Sequence, residues 1–162
     1  MSDLFSKIFG VLNVDLFRRT WQRDFPHSYF ERLTYFGHKD PTRCYWEAEM
    51  TNPECSEKID ITMQGTEDGP TPAEQEFCER VISDLDGLFV KCRSAFEAEF
   101  IAWAEHPFPE KWREAFTLVG FSVPPQGDTS QPWEVTYFVE PANHYFTAEF
   151  ESDRVVRVTV DG

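Results

Sequence analysis

The feature that most narrows what this chain can fold into is one long stretch, Pro72 to Ala104, that opens on a helix start signal and carries a single apolar stripe. Thr71 stands as N-cap, Pro72 takes the first helical position and Glu74 follows the cap by three residues, the spacing of a capping box. Phe77, Val81, Ile82, Leu85, Leu88, Phe89, Cys92, Phe96, Phe100 and Ile101 then recur at helical spacing. A face this apolar must be covered, and a sheet is the natural cover. Left unbroken to Ala104 the helix would run about 50 Å, too long for a domain of this size, so a bend or division is expected near Gly87. His106-Pro107-Phe108-Pro109 stops it.

The strands lie on both sides of this helix. Tyr29 to Met50 is rich in aromatic and β-branched residues, and His38-Lys39-Asp40-Pro41 splits it into two runs, which predicts a hairpin. Tyr45-Trp46-Glu47-Ala48-Glu49 alternates, and Lys58 to Gln64 puts Ile59, Ile61 and Met63 on one face and Asp60, Thr62 and Gln64 on the other. After the helix, Ala115 to Val123, Trp133 to Glu140, His144 to Glu151 and Arg154 to Val160 read as a meander with turns at Pro141-Ala142-Asn143 and Ser152-Asp153. At the start of the chain Leu4, Phe5, Ile8, Phe9 and Leu12 share one helical face, and Leu16, Phe17 and Trp21 extend a helical pattern that Pro26 ends.

The expected fold is therefore a single α+β domain over residues 1–162. It has an N-terminal helical segment (1–25), early strands (29–64), one long helix (71–104) and a C-terminal antiparallel meander (115–160). The 162 residues are 41% hydrophobic, enough for a core, and sixteen Phe make that core aromatic. The two loops richest in chain breakers, Gly65–Pro72 and Pro124–Pro132, separate the three blocks.

Charge is the second constraint. Fifteen Lys and Arg stand against 29 Asp and Glu, a net charge of −14, and a field of that sign repels nucleic-acid phosphates and anionic lipid. Neither a nucleic acid nor a membrane is an expected partner. The excess is not uniform. Met1 to Trp46 holds seven bases and five acids, so the remaining 8 bases and 24 acids give Glu47 to Gly162 a charge of −16. On the long helix Glu74, Glu76, Glu79, Asp84, Asp86, Glu97 and Glu99 form the candidate surface for a basic protein partner. The competing reading is a solvated helix face.

No apolar run is long enough for a membrane span, and no secretion signal follows Met1. Cys44, Cys55, Cys78 and Cys92 are scattered without a C-x-x-C pair, which points to reduced thiols and a cytoplasmic protein. The sequence has no G-x-S-x-G elbow, no glycine-rich phosphate loop, no H-E-x-x-H and no calcium loop. No catalytic, cofactor-binding or metal-ligating residue is assigned and no cofactor is expected. Of the four histidines, His144 beside Asn143 at a strand start is the one polar pair singled out. The Leu4, Phe5, Ile8, Phe9, Leu12 stripe would dock on the sheet or join two copies.

The order of elements, together with Trp133-Glu134-Val135-Thr136-Tyr137-Phe138-Val139 and His144-Tyr145-Phe146-Thr147-Ala148-Glu149-Phe150, resembles small bacterial α+β domains of unknown function. Some of these look like immunity proteins of toxin systems. The resemblance lies in architecture and strand texture and carries no catalytic residue. It implies a bacterial cytosolic protein that acts by binding, such as an immunity-type inhibitor of a basic partner. The alternative expectation is a small-ligand binder or enzyme, with its pocket between sheet and helix or under Pro124–Pro132.

Overall fold

A computed structural model describes residues 21–162. Among these residues eight strands form one sheet in chain order: β1 (Trp21–Asp24), β2 (Arg32–Gly37), β3 (Tyr45–Thr51), β4 (Lys58–Gln64), β5 (Phe116–Val123), β6 (Trp133–Val139), β7 (His144–Glu151) and β8 (Arg154–Asp161). Every pairing is antiparallel except β4 with β5, which are parallel and joined by the two helices α1 (Pro72–Ser83) and α2 (Leu85–Ala104). A parallel neighbour needs a crossover of this kind, because a hairpin can only reverse the chain.

The expected α+β class and mostly antiparallel sheet hold. The finer layout differs: among the described residues the sheet is not simply an early hairpin plus a meander on one long helix, since four strands precede the crossover and the helix is divided in two. The predicted hairpin is β2 and β3, in register Tyr35 opposite Trp46. Asp40 sets its turn by accepting from the Thr42 N–H at 3.0 Å. The β7–β8 turn places Ser152 and Asp153 both at positive φ, as a tight two-residue hairpin requires.

Two boundaries depart from the sequence reading. The one long helix is two, and the division expected near Gly87 falls at Asp84. Asp84 leaves the helical conformation (φ −137°, ψ 64°) and its carboxylate accepts the Gly87 N–H at 2.8 Å, so it closes α1 and opens α2. Gly87 matters for a different reason: a Cβ there would lie 2.1 Å from the Asp84 carboxylate. The second departure is Trp21–Asp24, read as the tail of a helix and found as strand β1. Its backbone completes the β2 edge from Trp21 opposite Gly37 to Asp24 opposite Thr34, and pairing outweighs the helical spacing of Trp21 with Leu16 and Phe17. The rest of the expected N-terminal helix, including Leu4, Phe5, Ile8, Phe9 and Leu12, lies outside the described residues.

One face of the sheet is apolar and covered. α1 sets Phe77 against Phe121 and Trp133, with ring centroids 6.3 and 5.0 Å apart. α2 sets Phe89 and Phe96 against Phe116, Tyr137 and Phe146, all between 5.0 and 5.8 Å. Over β2 to β4 the cover is the segment after β1, where Phe25 meets Trp46 edge-on at 5.0 Å and Phe30 is buried. The layer between sheet and helices, one of the two expected pocket positions, is filled by these rings. Trp133 and Tyr137 each bury a polar atom without a partner there, the indole Nε1 and the phenol oxygen.

Candidate functional site

The alternation that sends these rings inward sends a second set of side chains to the opposite face, and the register lines them up in rows. One row runs Thr34, Glu47, Thr62, Ser122 across β2 to β5. It continues through Glu134, whose N–H donates to Ser122 Oγ at 2.8 Å, to Glu149 and Arg157. The next row runs Arg32, Glu49, Asp60, Gly120, Thr136, Thr147, Thr159. These rows carry five carboxylates and two arginines.

The middle of this face is low and small. A bulge between Leu118 and Gly120 brings Gly120 beside Asp60, where a Cβ would lie 2.8 Å from the Asp60 carbonyl oxygen, so only glycine lets the two strands meet. Thr136 and Thr147 hydrogen-bond each other at 3.0 Å and are 0% and 5% exposed. Aromatic pairs stand at diagonally opposite corners: Phe36 stacked on Tyr45 at 4.8 Å, and Phe138 against Tyr145 at 5.3 Å.

The carboxylates fall into two groups around this centre. In the first, Arg32 bonds Glu49 at 3.0 Å, leaving Glu47 and Asp60 half-buried beside them. Burial pushes Glu47 up to about 7, with Asp60 adding repulsion and the Tyr45 hydrogen bond opposing it. Burial likewise pushes Asp60 up to about 6, with Glu49 repelling it and Arg32 opposing. In the second, Arg157 Nε donates to Glu149 at 2.7 Å, while burial and then Glu149 raise Glu134 above its ordinary value. A depression of about 120 Å³ opens here, lined by Ser122, Pro132, Glu134, Glu149, Glu151 and Val156, among others. Both groups hold negative charge partly out of water with too few cations to neutralise it, and an incoming cation would lower the energy of each.

The carboxylates singled out from the sequence lie elsewhere and do different things. Glu74 is 5% exposed and belongs to the fold. Its carboxylate accepts the Thr71 N–H at 2.7 Å and the Gln126 N–H at 3.2 Å, tying α1 to the loop after β5, which removes it from the docking surface. Asp84 is the cap between the helices. Asp86 accepts from the Trp112 indole at 2.8 Å and pairs with Arg113, whose hydrogen bond holds the carboxyl below its usual range. Glu76, Glu79 and Glu97 are exposed and Glu99 is half-buried, along helices whose opposite sides meet the sheet.

Asn143 and His144 are brought to no carboxylate cluster. Asn143 ends the turn before β7 at φ 53°, a conformation that Asn tolerates well. His144 Nδ1 lies 2.6 Å from the Ala142 carbonyl oxygen, and its ring sits 4.6 Å from Trp103. Among the described residues no group of three or more His, Cys, Asp or Glu is arranged to hold a metal ion. Nor is any described helix long and apolar enough to cross a membrane.

Sequence reasoning passed over Glu47, Glu49, Asp60, Glu134 and Glu149 as a set. Their signal was present as the polar positions of alternating strands, but only the sheet order makes them neighbours. Comparison with family models, with curated protein sequences and with solved structures finds no match to this chain.

Proposed function

We propose that this chain is a non-enzymatic protein-binding module, in the manner of an immunity-type inhibitor, and that it takes a basic partner on the sheet face opposite the helices. The observation that carries the reading is the charge on that face: Glu47, Glu49, Asp60, Glu134 and Glu149 against Arg32 and Arg157 alone in its two central rows. Half-buried carboxylates attract a cation more strongly than solvated ones, because the surrounding dielectric screens less. The flanking pairs Phe36–Tyr45 and Phe138–Tyr145 supply flat, amphipathic rings of the kind that anchor interfaces. The proposal puts the acidic interface on the sheet, not on the helix carboxylates that the sequence suggested. A cytoplasmic setting belongs to the same proposal.

The alternative reading, a small ligand near Pro124–Pro132, would draw on the depression beside Pro132. At about 120 Å³ that space falls short of the roughly 300 Å³ at which ligand pockets begin, and suits the end of one Lys or Arg side chain from a partner.

The test is capture of basic proteins at low and high salt by three forms: the natural chain, the face variant E47Q/E49Q/D60N/E134Q, and the helix variant E76Q/E79Q/E97Q/E99Q. The expected result is a basic protein held at low salt, weakened by high salt, lost with the face variant and kept with the helix variant. Retention that ignores salt, or that the helix variant abolishes and the face variant does not, would overturn the assignment.

A further inference from the structure

We infer that two copies of this chain pair edge to edge through β8, antiparallel and centred on Thr159. β8 is the last strand in the order, so among the described residues one of its edges has no neighbouring strand. Such an edge presents a row of unpaired backbone donors and acceptors. The two ends of the sheet treat this differently. Among the described residues β1 is four residues long and wholly exposed, whereas β8 runs eight residues with no proline.

The side chains of β8 specify which pairing is favourable. From the register with β7, Arg157, Thr159 and Asp161 belong to the open face, opposite Glu149, Thr147 and Tyr145. Val158 and Val160 belong to the core face, opposite Ala148 and Phe146. An antiparallel two-fold axis through Thr159 sets Arg157 of each copy against Asp161 of the other. It sets Val158 against Val160 and Thr159 against itself, and every pair shares a face. Centring the axis on Arg157 would oppose two arginines, and centring it on Asp161 would oppose two aspartates. Opposite charges directly across a pair stabilise and like charges destabilise, so the Thr159 register is selected.

The layer above the edge also fits. α2 packs over β7 and β8, and Lys91 Nζ bonds Asp153 of the β7–β8 turn at 2.7 Å, which marks the flank of α2 nearest the edge. At 100° per residue Ala95, Ala98 and Ala102 fall on the same flank as Lys91, so much of the side that a second copy would approach carries only methyl groups. Val158 and Val160 are half-buried in the single chain and would lose their remaining exposure to each other. The inference is independent of the proposed function, but it joins two open faces into one surface.

Sedimentation equilibrium of the full chain, from micromolar to millimolar concentration, reads the outcome as mass alone. The expected species at the upper end is a dimer, twice 19.0 kDa. D161R replaces two attractive pairs by two repulsive ones and should raise the dimer dissociation constant by about tenfold or more, with the circular dichroism spectrum unchanged. The variant E149R/R157E/D161R reverses every charge while keeping each pair matched, and should recover dimerisation. A monomer at every concentration would overturn the inference. So would a dimer indifferent to D161R, and loss of that dimer when charges are placed at Leu4 and Phe5 would assign it to the N-terminal stripe.

Discussion

The two faces of this sheet are built from the same strands and obey opposite rules. Towards the helices, most alternate strand residues from Leu33 to Phe150 meet a ring or an aliphatic side chain and are out of water. On the other side, in the intervening positions, carboxylates stand half-buried with a raised proton affinity, around a floor of threonines and one glycine. The first face is arranged for stability. The second keeps charge where folding alone would favour its removal, and a surface that works against the fold is where function is to be sought.

The contrast can be broken most forcefully from the covered face. Phe96 is fully buried and its ring touches Phe89, Phe116, Tyr137 and Phe146, so Phe96→Ala should cost about 3–5 kcal/mol in urea-induced unfolding. A loss below about 1 kcal/mol would mean that this layer can collapse around the gap and is not the tight core described.

The floor of the open face responds to pairing, not to volume. Thr136→Val alone leaves the buried Thr147 hydroxyl without its partner and should cost about 1–2 kcal/mol, while adding Thr147→Val should return most of that loss. Equal costs that simply add in a double-mutant cycle would show that the two hydroxyls are satisfied independently.

The smallest expected effect is also the most informative about charge. Glu47 titrates near 7 in the folded chain, above its unfolded value, so between the two the folded state binds more protons. Stability therefore falls as pH rises from the unfolded carboxylate range to about 7 and is level beyond it. Asp60 titrates within the same cluster, so the profile belongs to both groups. Glu47→Gln should flatten it, giving about 1 kcal/mol at pH 8 after allowance for solvent screening and no change at pH 4, by thermal unfolding across pH. A variant less stable than the natural chain at pH 8 would show that the carboxylate is stabilised by its neighbours.

How much of this was legible in the sequence depends on the range over which each signal acts. The start of α1 is written in four consecutive residues, Thr71 to Glu74, and β4 and β7 keep their predicted limits because turn residues bracket them. The break at Asp84 is invisible to periodicity, since Val81, Leu85 and Leu88 continue the stripe through it; only the cap hydrogen bond to Gly87 reveals it. β1 was hidden because its strand state comes from pairing with β2, not from its own four residues. The open face was half legible. Glu47, Glu49 and Asp60 could be placed on the polar sides of their own strands, but Thr62 beside Ser122, and Asp60 beside Gly120, follow from a parallel contact that joins residues sixty apart in the chain. Periodicity within a strand says which face; it does not say which neighbour.

That one parallel contact also orders the birth of the protein. Everything from β1 to β4 pairs with the strand just made, so this half can zip up as it leaves the ribosome, with little loop entropy to overcome. It must then wait, with the outer edge of β4 bare, until both helices and β5 have been synthesised. During that interval the nascent chain offers an apolar strand edge to any other chain nearby, and chaperones that hold such edges would find their substrate there.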